Sequence, residues 1–233
     1  MHVRDLSDAR SRRRRLPLLS ICTAVALGST GVIAAQASAQ SIRIPTACVV
    51  NTSSGVGSVP VIGTGFTPND DIELTTTNGT AFGTVTAGTT GAFETTIPAP
   101  LLSSSGPAEA AFTMTAQDED TPLATPPSAT FNVANLAVLT RPSEAKPGKK
   151  VTFTFSGFVS GAQIYGHYLH GKKVTASTRF GKAAGACGTL KTKAKLYPGK
   201  QKYDSYNVQF DDSRKYSPAS VPRVLYMLTV FRF

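Results

Sequence analysis

From residue 40 onward the apolar residues fall in short runs that alternate with polar ones, and nowhere do they recur at the three- and four-residue spacing of a helix. Ile72 and Leu74, for example, point one way along an extended chain while Asp71 and Glu73 point the other. The pattern predicts strands over 47–51, 59–66, 71–77, 80–86, 92–97, 110–117 and 129–134. Turn chemistry separates them: Thr67-Pro68-Asn69-Asp70, Asn78-Gly79, Gly88-Thr89-Thr90-Gly91 and a proline-rich 121–128. A second series follows over 137–141, 150–156, 163–170, 174–180, 189–197, 203–210 and 221–232. The last of these is apolar on both faces from Val224 to Phe233, which predicts a central strand covered on both sides.

The two series are related. Val59/Val151, Val61/Phe153, Gly65-Phe66/Gly157-Phe158 and Ile72/Ile164 all match at an offset of 92 residues. A repeat of that length is one domain, so the expectation is two β-sandwich domains in tandem, over 40–140 and 141–233. Arg141 to Pro147 carries two prolines and is expected to be a short, stiff join.

Residues 1–39 have the composition of an export signal. Arginines at 4, 10 and 12–15 precede an apolar run from Leu16 to Ala35, and Ala37-Ser38-Ala39 offers the small residues of a cleavage site. The mature chain is therefore expected to begin at Gln40. Ser11-Arg12-Arg13 partly resembles a twin-arginine signal, with Arg15 and Pro17 where Phe and Lys are usual, and the choice of route stays open. No later run reaches the roughly 18 apolar residues of a spanning helix.

Charge divides the chain where the repeat does. Between 40 and 140 Arg43 stands alone against eight acids, a net of −7, whereas 141–233 carries 17 Lys and Arg against four acids, a net of +13. Lys191, Lys193 and Lys195 alternate with Thr192, Ala194 and Leu196, so one strand face presents three ammonium groups. With Lys172, Lys173, Arg179 and Lys182 they form a candidate surface for anionic envelope polymers. The plainer alternative is protection of an edge strand against pairing with another sheet. Nucleic acid is not expected, because the chain reads as exported and carries no reader motif. The acids Asp70, Asp71 and Glu73, and Asp118 to Asp120, lie at strand ends without the spacing of a calcium loop and read as solvated turns.

Gly65-Phe66-Thr67-Pro68-Asn69-Asp70-Asp71-Ile72, followed by Gly91-Ala92-Phe93, resembles the G-x-G-F-x-P-G-x-x-V … G-x-F pattern of bacterial immunoglobulin-like domains of secreted and wall-associated proteins. Asn69 replaces the usual glycine, and asparagine is among the residues that tolerate a left-handed turn. The second half resembles a C-terminal domain of uncharacterised exported actinobacterial proteins through Ile164-Tyr165-Gly166-His167-Tyr168, Gly171-Lys172, Arg179-Phe180-Gly181, Cys187-Gly188 and Val208-Gln209-Phe210-Asp211. The resemblance implies an all-β, immunoglobulin-like fold; it does not imply a ligand, because such sandwiches serve adhesion, spacing and binding alike.

No catalytic residues, metal ligands or cofactor site are assigned. Strand parity puts Tyr165 and His167 on one side and Tyr168 and His170 on the other, whereas a chelate needs both imidazoles on one face. The histidines are expected to be half-buried, with ring nitrogens bonded to backbone. His170-Gly171 with Cys187-Gly188 resembles the L,D-transpeptidase site, but Gly185-Ala186 stand before Cys187 where the activating histidine belongs. Cys48 and Cys187 are the only cysteines after the expected cleavage point. In an oxidising compartment their pairing is expected, as a clamp between the domains, with a buried reduced thiol or pairing between chains left open. The reading is a secreted, non-catalytic binding or spacer protein of the cell envelope, its partner an anionic polymer or another surface protein. The alternative is a wall-modifying enzyme using Cys187 and His170.

Overall fold

A computed structural model describes residues 39–77, 81–145, 148–198 and 204–230. Fifteen strands account for the regular structure of these residues. In the first half they are β1 (Ser41–Arg43), β2 (Cys48–Asn51), β3 (Ser58–Thr64), β4 (Asp71–Thr76), β5 (Ala81–Thr86), β6 (Phe93–Pro98), β7 (Glu109–Asp118) and β8 (Ser128–Asn135). In the second they are β9 (Ala137–Arg141), β10 (Lys150–Ser156), β11 (Gln163–His170), β12 (Lys173–Lys182), β13 (Leu190–Lys195), β14 (Asp204–Asp211) and β15 (Arg223–Val230). All but β1 lie where alternation predicts them. β1 has a single inward residue, Ile42, which is too little to register as a period. The expected export signal up to Ser38, the expected turns at Asn78-Gly79 and Lys146-Pro147, and the terminal Phe233 lie outside the described residues.

The strands form four sheets, two in each half. The first half has β1-β3-β6 facing β2-β8-β7-β4-β5, and the second has β13-β10-β9 facing β12-β11-β14-β15. The two halves are wired identically. In each, the second strand of the three-stranded sheet pairs with its first strand and with the strand after the hairpin, and the following four-stranded run closes in the same order. Two antiparallel sheets connected in this way are the immunoglobulin arrangement, so the fold is all-β and immunoglobulin-like. One difference separates the halves: β2 adds to β8 in parallel, with Cys48 opposite Asn132 and Asn51 opposite Asn135, and no such strand is found among the described residues of the second half.

Alternation decides what each sheet buries. In β3 the inward Val59 and Val61 are fully buried, and in β4 so are Ile72 and Leu74. The corresponding second core is aromatic: Phe153, Phe155, Phe180 and Phe210 pack with ring centroids 4.7 to 6.0 Å apart. Cutting one such ring back to alanine costs about 3–5 kcal/mol.

The repeated Gly-Phe pair has a structural cause. The Phe66 N–H donates to the Gly91 carbonyl at 3.0 Å, and the Phe158 N–H to the Gly188 carbonyl at 3.3 Å. Gly91 (φ 71°) and Gly188 (φ 57°) adopt the left-handed conformation, and a Cβ on either would overlap the carbonyl oxygen of its phenylalanine. Only glycine fits a backbone that turns this sharply against another backbone. Asn69, at φ 62°, takes the left-handed turn predicted for it.

The last strand departs from expectation. β15 ends the order β12-β11-β14-β15, so it is an edge strand. Val224, Tyr226 and Leu228 turn inward, while Leu225 and Met227 are 67% and 71% exposed. A run apolar on both faces predicts double coverage only if another layer supplies the cover, and none of the described elements does.

Candidate functional site

Three features of the surface and the join carry chemistry. The first is the bond between Cys48 and Cys187, which links β2 of the first half to the turn between β12 and β13, across 139 residues of sequence. The Cα atoms are 5.2 Å apart, well within the usual span. Around the bridge the Gly157 N–H donates to the Cys187 carbonyl at 3.0 Å, and the Ser156 hydroxyl reaches back to the Asn135 carbonyl at 2.5 Å. The expected Cys48–Cys187 pairing is therefore present. The transpeptidase alternative falls with it: Cys187 is buried and its sulfur is committed to a disulfide, so there is no thiol to ionise. His170, its proposed partner, is exposed and pairs instead with Asp204 at 2.6 Å. That aspartate is held below the usual carboxylate range, first by the Ser205 N–H and then by the histidine.

The second feature is a cationic sheet face. Register on the three-stranded sheet of the second half sets Lys191 opposite Thr154 and Leu139, Lys193 opposite Thr152 and Arg141, and Lys195 opposite Lys150. All five cations are exposed, and none of them makes an ion pair among the described residues. Successive lysines on β13 stand about 7 Å apart, and facing residues on neighbouring strands about 5 Å. Like charges directly opposite each other are destabilising, and Lys150 facing Lys195 is such a pair. Arg141 and Lys150 escape a reading along the sequence, because only strand pairing brings Lys150 beside β13 and Arg141 one strand further along the same face. The other candidate cations lie elsewhere: Lys172 in the β11–β12 turn, and Lys173, Arg179 and Lys182 along β12, the edge of the opposite sheet. Arg179 is held by Gln163 at 2.7 Å. The lysines of β13 also sit on an edge strand, which is where the protective alternative requires them.

The third feature is a set of buried polar groups. His167 is 1% exposed; its Nδ1 faces the Ser177 hydroxyl at 3.0 Å and its Nε2 the Ser213 carbonyl at 2.9 Å, with Asp211 at 3.4 Å. Gln209 donates to Asp211 and to the Ser217 carbonyl at 2.5 and 2.7 Å. These bonds fasten the loop after β14 across the outer face of its sheet, so His167 is a satisfied structural histidine. Asp70 and Asp118 correct the expectation of solvated turns, because both are buried. Asp118 accepts from the backbone of Thr67 and Thr121 and from Gln40. Asp70 is raised above the usual range, chiefly by its hydrogen bond to Asp118, and Asp118 is lowered because that bond and the amide donors outweigh its burial. Among the described residues no three His, Cys, Asp or Glu side chains converge as metal ligands.

No family model matches the chain, and neither does any curated protein. Solved structures similar to it include the human OSCAR ligand-binding domain (10% identity, TM-score 0.33, covering 82% of this chain and 97% of that one). Bovine butyrophilin is similar at 9% identity and a TM-score of 0.33, over 84% of this chain and 100% of that one. A tandem repeat from the extending region of a large adhesion protein shares 14% identity at a TM-score of 0.27, over 82% of this chain and 48% of that one.

Proposed function

We propose that this is a non-catalytic binding or spacer protein of the cell exterior, whose two sandwich domains are clamped by Cys48–Cys187 and whose basic domain engages anionic envelope polymer. The observation that carries the reading is the unneutralised face of Arg141, Lys150, Lys191, Lys193 and Lys195. A fold that sets Lys195 directly opposite Lys150 bears a local cost, and such costs concentrate where a partner relieves them. A polyanion laid along β13 meets a cation about every 7 Å. Lys172, Lys173, Arg179 and Lys182 on the neighbouring sheet add to the attracting field. The disulfide supports an oxidising location, as does the leader composition.

Binding of fluorescent polyphosphate and of isolated envelope polymer, measured against salt, tests this. Affinity should fall steeply as salt rises, and the Lys191→Gln/Lys193→Gln/Lys195→Gln variant should lose at least tenfold at low salt, about 1.4 kcal/mol. Absent or salt-insensitive binding would reduce the three lysines to guards of an edge strand.

A further inference from the structure

The bonds that hold His167 in place also fix which of its nitrogens carries the proton. Register sets Ser177 of β12 opposite His167 of β11, and His167 opposite Gln209 of β14, on the outer face of the four-stranded sheet. Of these three side chains only Ser177 is exposed. Both neighbours of His167 Nε2 are acceptors, the Ser213 carbonyl at 2.9 Å and Asp211 Oδ1 at 3.4 Å. Nε2 of the neutral ring is therefore the protonated nitrogen, and Nδ1 keeps a free lone pair. The Ser177 hydroxyl, 3.0 Å from Nδ1, accordingly donates to it.

Asp211 is itself held. Its Oδ1 accepts from the Ser213 N–H at 3.0 Å and its Oδ2 from the Gln209 amide at 2.5 Å. The Tyr216 ring stands edge-on to the imidazole, with centroids 5.9 Å apart. The ring is thus fixed with its basic nitrogen on an exposed hydroxyl and a carboxylate behind it, placed to stabilise the imidazolium that forms when the proton moves. A serine attacks an electrophile under these conditions: a base within hydrogen-bond reach, and a third group that orients the base. Arg179 stands two residues along β12, exposed on the same face and about 7 Å from Ser177. Its Nε donates to Gln163 at 2.7 Å, and its terminal nitrogens make no hydrogen bond among the described residues. A fixed cation therefore lies beside the hydroxyl, where it can meet negative charge developing on an oxygen under attack.

We propose that Ser177 is a nucleophile that is acylated by an activated carboxylic ester. Ser177 Oγ bonds to the carbonyl carbon as His167 Nδ1 takes the hydroxyl proton. The bond from that carbon to the leaving oxygen then breaks, and the departing alkoxide takes the proton back from Nδ1. The products are O-acyl Ser177 and an alcohol. One acyl group per chain is a covalent modification, so this goes beyond the binding role and does not rest on the cationic face of β13.

A fluorophosphonate probe tests the nucleophile: Oγ displaces fluoride from phosphorus, and mass spectrometry locates the adduct. On the folded full chain Ser177 should be labelled at least about a hundredfold faster than Ser53 or Ser160, exposed serines with no hydrogen bond to a histidine. Labelling should vanish in Ser177→Ala, at an exposed position the fold tolerates, and in urea, and it should slow in Arg179→Gln. Its rate should rise with pH and level off once His167 is neutral. The charged and titratable groups around that ring are Tyr165 of β11, Arg179 of β12, Asp211 of β14, and Arg214, Lys215 and Tyr216 of the following loop, none of them a histidine. p-Nitrophenyl acetate should leave a hydroxylamine-labile acetyl group on the same residue, and its absence overturns the acyl assignment. Labelling that is no faster at Ser177 than at Ser53, that persists in urea, or that climbs with hydroxide without levelling overturns the inference. So does a wild-type rate in His167→Gln with the strand dichroism intact; if that variant does not fold, the pH profile of the unaltered chain decides.

Discussion

Removing the bridge is the sharpest test of the clamp. Take the variant Cys48→Ala/Cys187→Ala, which deletes the bond and leaves only small apolar side chains in its place. If the whole chain unfolds together, the bond closes a loop of 139 residues in the unfolded state. The loop-entropy relation then gives about 17 cal/mol/K, or about 5 kcal/mol at 25 °C. If the second half unfolds while the first stays folded, the free loop runs from the end of β8 at Asn135 to Cys187, 187 − 135 = 52 residues. The same relation then gives about 4 kcal/mol. Either route predicts a loss of about 4–5 kcal/mol, a large share of the 5–15 kcal/mol typical of a domain. Urea unfolding followed by tyrosine fluorescence and by far-ultraviolet dichroism measures it, and the two probes separate if the halves unfold in sequence. A loss below about 1 kcal/mol would refute the argument, because the bond would then not be stabilising the fold by restricting the unfolded chain.

Other expectations rest on single residues. The Tyr168 hydroxyl is buried without a hydrogen-bond partner among the described residues, and burial followed by the neighbouring Tyr197 pushes its pKa well up, so Tyr168→Phe should stabilise by about 1 kcal/mol in thermal melts. Gly188→Ala should cost at least about 2 kcal/mol, whereas Gly185→Ala, also left-handed but with its Cβ in no more than ordinary contact with the Thr189 hydroxyl, should cost about half as much. The Asp70–Asp118 pair gives two opposite pH dependences. Asp118, lowered in the fold, contributes stability that is present above its unfolded value of 3.8 and lost as pH falls through the folded value, and Asp118→Asn should destabilise at pH 7 by about 2 kcal/mol. Asp70, raised in the fold, contributes below 3.8 and loses that contribution as pH rises through its folded value. Asp70→Asn should therefore raise the melting temperature at pH 7, with a gain that shrinks as pH falls towards 3.8; a gain that grows with acidity would place the proton elsewhere.

Much of the architecture is local and could be read from residue order. Alternation is a property of neighbouring residues, so Val59, Val61, Ile72 and Leu74 announce both their strands and their shared inward face. The Gly-Phe repeat is legible because a left-handed glycine pressed against a backbone admits no substitute, and the constraint leaves the same letters twice. Cys48 and Cys187 could be named as partners because no other cysteine follows residue 39. What the tertiary structure decided depends on pairing between distant segments. Arg141 and Lys150 join the lysines of β13 only through strand register. Asp70 and Asp118 look like loop acids until two turns 48 residues apart close over them. Val224 to Phe233 looks doubly covered because its composition is apolar, yet cover is supplied by a second layer, and none of the described elements lies over Leu225 and Met227.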